Sequence, residues 1–157
     1  MKRNFPLYSN LCIFLLALIF IGIGSKASAQ NFELYYTTEN QVNLEPKEIL
    51  NSKFIKAETN ALSFQNETGN IWVKIKMNEI GENFYLTLEN SMIDSVDFYQ
   101  IADDQSVIEY HTGDRYLFAE REVDHPHFIF PLQKSKINPE ILLRIRSQDL
   151  LFVPIKV

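Results

Sequence analysis

The sequence is 157 residues long, with 15 Lys and Arg against 20 Asp and Glu, and 46% hydrophobic and 13% aromatic side chains. A formal net charge of −5 argues against nucleic acid or an anionic membrane surface as the main partner. The single cysteine, Cys12, sits in an N-terminal apolar run, so disulfides, thiolate catalysis and cysteine metal sites are excluded from the rest of the chain.

Residues 1–29 read as a signal peptide. Lys2 and Arg3 make a basic start, and Leu11 to Ile23 is almost uninterrupted apolar sequence. Ala27-Ser28-Ala29 then supplies the small residues that a signal peptidase needs before Gln30. The apolar run is at the short end for a membrane span, which takes roughly 20 residues, so an uncleaved anchor is the alternative. Cleavage removes three basic residues (Lys2, Arg3 and Lys26) and no acids, leaving 12 basic and 20 acidic side chains and a net charge of −8. Residues 30–157 then form one exported domain, periplasmic or on the extracytoplasmic face of the inner membrane, and long enough to be held by its core alone.

Phe32 to Thr37 reads as a first strand, and Thr38 to Leu44 as polar, turn-like sequence. Pro46 to Leu50 suits one helical turn, with proline near the first position, where a missing N–H costs nothing. Phe54-Ile55-Lys56 and Leu62-Ser63-Phe64 are short enough to be edge strands, and Asn66 to Asn70 is a loop by composition. The clearest signal lies between Ile71 and Tyr99, where three runs alternate at the period of a half-buried strand. Ile71, Val73, Ile75 and Met77 oppose Trp72, Lys74 and Lys76; Phe84, Leu86 and Leu88 oppose Tyr85, Thr87 and Glu89; Val96 and Phe98 oppose Asp97 and Tyr99. Further runs follow at Val107 to His111, Phe128 to Leu132, Ile141 to Ile145 and Leu151 to Val157, with an irregular charged stretch from Leu117 to Val123. Seven to nine antiparallel strands and at most one short helix predict an all-β fold, a β-sandwich or jelly roll.

An ordered set of motifs runs through these elements. It comprises Trp72-Val73-Lys74, Leu88-Glu89-Asn90, Ile93 to Tyr99, Thr112-Gly113-Asp114, Arg121, Phe128 to Leu132, Leu143 to Ser147 and Val153-Pro154-Ile155. The set resembles the type 2 extracellular domain of the bacterial 7TM-DISM receptors, seven-transmembrane receptors with diverse intracellular signalling modules. The likeness spans about Phe32 to Val157. It implies a jelly roll similar to carbohydrate-binding modules, acting as a ligand sensor ahead of seven membrane helices and an output module. Those later parts are not in this sequence, so the chain is expected to be a receptor fragment or a stand-alone remnant. Its expected partners are a small-molecule or carbohydrate ligand and a membrane receptor or its seven-helix portion.

The residues themselves offer a candidate site. With Val73, Leu86, Leu88, Val96, Phe98, Phe130, Leu143 and Ile145 in the core, the other register carries Trp72, Lys74, Lys76, Tyr85, Thr87, Tyr99, His127, Arg144 and Arg146. Read as an exposed sheet face, aromatics beside cationic and hydroxyl donors suit a sugar or a small acid. Trp72 would stack on the ligand, with Tyr99 as a second aromatic; Arg144 and Arg146 would fork onto hydroxyls or a carboxylate, and Arg121 would reach over as a clamp. The plainer reading has a loop covering Trp72 and Tyr99, the cations solvating an outer face, and Arg121 pairing with Asp114 or Asp124 to hold its own loop.

Catalytic and metal chemistry find less support. His125-Pro126-His127, with His111, falls short of the three or four well-spaced ligands of a zinc site, and no cofactor is implied. Acid pairs such as Asp103-Asp104 and Glu120 with Glu122 read as solvated loop residues, and Asp94 and Asp114 as turn residues accepting backbone N–H bonds. No nucleophile elbow, phosphate loop or zinc-protease helix is present, so a binding module is expected rather than an enzyme. The alternative function is a protein-interaction module that docks by a sheet face or by strand addition to an unpaired edge at Leu151 to Val157.

Overall fold

The structure is a computed structural model that describes residues 32–38, 44–65, 70–102, 104–136, 138–148 and 150–157. The signal-peptide stretch, residues 66–69 of the loop before Asn70, and Asp103 lie outside the described residues. The strands are β1 (Phe32–Thr37), β2 (Ile55–Lys56), β3 (Ala61–Phe64), β4 (Ile71–Met77) and β5 (Tyr85–Leu88), then β6 (Ser95–Ile101), β7 (Val107–Thr112), β8 (Phe128–Pro131), β9 (Glu140–Arg146) and β10 (Leu151–Lys156). One helical turn, α1 (Pro46–Ile49), and a 3-10 turn at Phe118–Glu120 interrupt them.

Two antiparallel sheets result, one of six strands in the order β2-β1-β4-β9-β6-β7 and one of four in the order β3-β10-β5-β8. They pack as a β-sandwich. The ten strands exceed the seven to nine expected because both short, ambiguous segments pair. Each ends a different sheet, β2 beside β1 and β3 beside β10.

The space between the sheets is filled by the register that the alternation assigns to the core. Val73, Leu86, Leu88, Val96, Phe98, Phe130, Leu143 and Ile145 are all at most 1% exposed. Phe98 of one sheet stacks on Phe130 of the other with ring centroids 4.8 Å apart. Each aliphatic or aromatic side chain buried in this way contributes about 2 kcal/mol of transfer free energy, which suits a domain without covalent staples.

Two expectations need correction. The edge expected at Leu151 to Val157 is not free: β10 lies between β3 and β5, pairing with β3 over Leu151–Pro154 and with β5 over Ile155 and Lys156. The outward register is also not one face. Tyr85 and Thr87 belong to β5 of the four-stranded sheet, while Trp72, Tyr99, Arg144 and Arg146 belong to the six-stranded sheet. Alternation separates inside from outside on each strand, but it does not say which strands share a sheet.

The turn leaving β7 also bears on the site. Gly113 has φ +147°, and a Cβ there would lie 2.3 Å from the carbonyl oxygen of Asp94, so only glycine lets the two backbones approach. Directly after this contact Asp114 N–H donates to Ile93 O (2.8 Å) and Arg115 N–H to Asp94 O (3.3 Å). The Thr-Gly-Asp motif thereby ties the exit of β7 to the entry of β6 and sets Arg115 beside Asp94.

Candidate functional site

Strand pairing lines up two rows of side chains across the outer face of the six-stranded sheet. The first row runs Trp72, Arg144, Asp97, His111, each opposite the next on neighbouring strands β4, β9, β6 and β7. The second runs Lys74, Leu142, Tyr99, Glu109 over the same strands. Residues facing one another in this way have Cβ atoms roughly 5 Å apart, close enough for ion pairs and ring contacts.

Asp97 is the centre of the polar row. Its carboxylate is almost wholly buried and accepts from Arg144 Nε at 2.7 Å. His111 Nδ1 lies 2.8 Å from its other oxygen, and Arg146 stands off at 3.6 Å. Burial pulls the Arg144 guanidinium down, but the hydrogen bond and charge of Asp97 outweigh it, so the group stays charged beyond its ordinary range. A buried carboxylate held in this way is stable only while its cations remain.

Leu142 and Tyr99 of the second row and Trp72 of the first are covered, while Glu109 stays exposed. The segment from Leu44 to Phe54, with α1 at its centre, crosses the face and builds a small separate core of Ile49, Trp72, Tyr99 and Leu142, flanked by Leu44, Leu50 and Phe54. Glu48 accepts the N–H of Glu45 at 3.1 Å where α1 begins, and Lys47 reaches across to the carbonyl of Gln105 at 2.9 Å. Beneath this strap the Trp72 and Tyr99 rings stack at 6.1 Å, and the Arg144 guanidinium lies 5.5 Å from the Trp72 ring. Lys74 is pressed over Phe54 at 4.1 Å, and burial, with Lys76 nearby, pushes its ammonium pKa down. Burial likewise pushes the Tyr99 phenol up, partly offset by Arg144.

The five residues singled out from sequence therefore divide. Trp72 is at 0% exposure, so it is the floor of the strap and not an open stacking platform; the covering loop is what the structure has. Tyr99 and Arg144 line a cleft of about 650 Å³ between the strap and β7, together with Glu45, Lys47 and Glu109. Arg146 lies on the same face in an adjoining cleft with Asp94, Arg115 and Gln148. Arg121 is apart from both. Its guanidinium is packed between the rings of Phe118 (4.6 Å) and Phe128 (4.7 Å) and donates to the carbonyls of His125 (2.9 Å) and Pro126 (2.7 Å). It holds its own loop, through backbone carbonyls rather than through Asp114 or Asp124. His127 N–H donates to His125 Nδ1 at 3.0 Å, which occupies that ring nitrogen.

Asp97 and Glu109 are the functional candidates that the sequence does not mark. Asp97 reads as an ordinary outward residue between Val96 and Phe98, and only the pairing of β6 with β9 sets it opposite Arg144.

The family described as 7TMR-DISM extracellular 2 matches residues 30–157. The chain belongs to this family. The 7TMR-DISM extracellular 2 domains are extracellular sensor domains of the 7TM-DISM membrane receptors, so the chain belongs to an extracytoplasmic family. No curated protein matches the chain.

Proposed function

We propose that this 7TMR-DISM extracellular 2 domain senses a small hydroxylated ligand, a carbohydrate in the first instance, on the periplasmic side of the inner membrane. The ligand enters the cleft between the strap and β7. The observation that carries the reading is that Glu45, Glu109 and Arg144 converge on one cleft beside the rim of a buried aromatic pair. Carboxylates accept from sugar hydroxyls, a guanidinium donates to them, and the tyrosine edge offers apolar contact. In this arrangement Trp72 acts from below, fixing Arg144 and Tyr99 rather than touching the ligand. The strap is the element that a bound ligand would press on, and a membrane-embedded receptor portion is the partner that would read its position.

The test is a calorimetric and thermal-shift screen of mono- and disaccharides on the whole chain, repeated on Glu109→Gln and Tyr99→Phe. A saccharide that raises the melting temperature and loses at least about tenfold in affinity in Glu109→Gln supports the assignment; a charge-assisted hydrogen bond accounts for a loss of that size. Binding indifferent to both substitutions, or no saccharide binding at all, removes it.

A further inference from the structure

We infer that the adjoining cleft on the same face, lined by Asn70, Asp94, Ser95, Arg115, Arg146 and Gln148, is a second binding site whose ligand is a small carboxylate. Its volume is about 480 Å³, room for a molecule of several heavy atoms. Among the described lining residues two guanidiniums face one carboxylate, a cationic surplus in a chain whose net charge is −5. That carboxylate is already engaged: Asp94 Oδ2 accepts from Arg115 (3.1 Å) and from the N–H of Gln148 (3.0 Å). The buried Asp97 is engaged as well, because Arg144 holds it at 2.7 Å while Arg146 remains 3.6 Å away.

Of the two guanidiniums that line the cleft, Arg146 is thus the one with the more distant carboxylate partner. It donates to Ser95 Oγ at 3.2 Å, and its side chain stays 47% exposed. An arginine fork beside a hydroxyl and a second arginine matches the planar, singly charged carboxylate. The doubly charged phosphate would exceed the surplus. Polar side chains continue around the wall with Tyr116 and Ser147. Asn70, which lines the same cleft, is buried, and its side-chain carbonyl has no hydrogen-bond donor among the described residues. A carboxylate that also carries hydroxyls suits this lining best. The inference does not depend on what occupies the first cleft, although Asp97 joins the two by touching Arg144 on one side and approaching Arg146 on the other.

The experiment is a ¹⁵N NMR titration of the whole chain with sodium acetate and sodium galacturonate, with galactose, inorganic phosphate and sodium chloride at matched ionic strength for comparison. Saturable shifts at the amides of Ser95, Arg115 and Gln148 are expected with both carboxylates and not with galactose or chloride. Arg146→Gln and, independently, Arg115→Gln should weaken both by tenfold or more with the rest of the spectrum preserved, while Glu109→Gln in the first cleft leaves them unchanged. No saturable shift at those amides, or undiminished binding in the two arginine variants, overturns the site. Phosphate binding as tightly as the carboxylates, or a loss of carboxylate binding in Glu109→Gln, overturns it too.

Discussion

The outer faces of the two sheets come from the same alternating pattern and end in opposite states. On the six-stranded sheet Trp72 and Leu142 are sealed beneath the strap with Tyr99, and a carboxylate is buried beside them. On the four-stranded sheet Tyr85 is 46% exposed and Phe152 49%. The difference is not in the strands. It comes from the segment around α1, whose Ile49, Leu50 and Phe54 bring an apolar underside to one face while nothing among the described residues does so for the other. A third layer turns an aromatic from a surface group into a structural one, and it also builds the cleft walls that a bare sheet lacks.

Substitutions can break or sharpen that contrast. Trp72→Ala removes a fully buried ring and should cost about 3–5 kcal/mol, whereas Tyr85→Ala should stay within about 0.5 kcal/mol. Urea denaturation of the two variants compares them directly, and equal losses would dissolve the distinction. Arg144→Ala should cost about 3 kcal/mol, because it leaves the Asp97 side chain, 3% exposed, without its closest cation. Adding Asp97→Ala to that variant should recover part of the loss in a double-mutant cycle, since the stranded charge is then gone. Arg121→Ala should cost less, about 1.5 kcal/mol, from two hydrogen bonds to carbonyls. Its signature is faster proteolysis between Tyr116 and His127, with ligand binding on the other sheet unchanged.

The smallest effect is in pH dependence. Burial raises the Tyr99 phenol above its ordinary value of 10.0. The unfolded chain therefore loses that proton first, so the associated stability is complete below pH 10 and disappears as pH climbs through the folded value. The wild-type denaturation midpoint should fall more steeply above pH 10 than that of Tyr99→Phe. Parallel curves for the two proteins would mean that the strap does not shield the phenol.

Much of the fold is legible in the sequence. Val73, Leu86, Phe98 and Leu143 declare the core because a strand's side chains alternate, and burial of one register follows from that geometry alone. The two short segments near Ile55 and Leu62 are readable as edges because they are too short to hold a central place. Gly113 belongs to the legible part only as the middle of the Thr-Gly-Asp motif; its backbone contact with Asp94 needed the loops assembled. The site was less legible. Arg121 and Trp72 look like ligand groups in one dimension, since an arginine in a charged loop and a tryptophan on the outward register carry no mark of what lies over them.

By itself, then, the chain determined an all-β domain, its two registers and the family to which it belongs, because these depend on local period and on ordered motifs. Only the tertiary structure decided which outward residues share a face, that the strap covers Trp72, and that Asp97 gathers Arg144, Arg146 and His111. Those outcomes rest on strand order and on contacts between segments far apart in the chain. Pairing brings Asp97 opposite Arg144, 47 positions later, and no local pattern along either strand encodes that meeting.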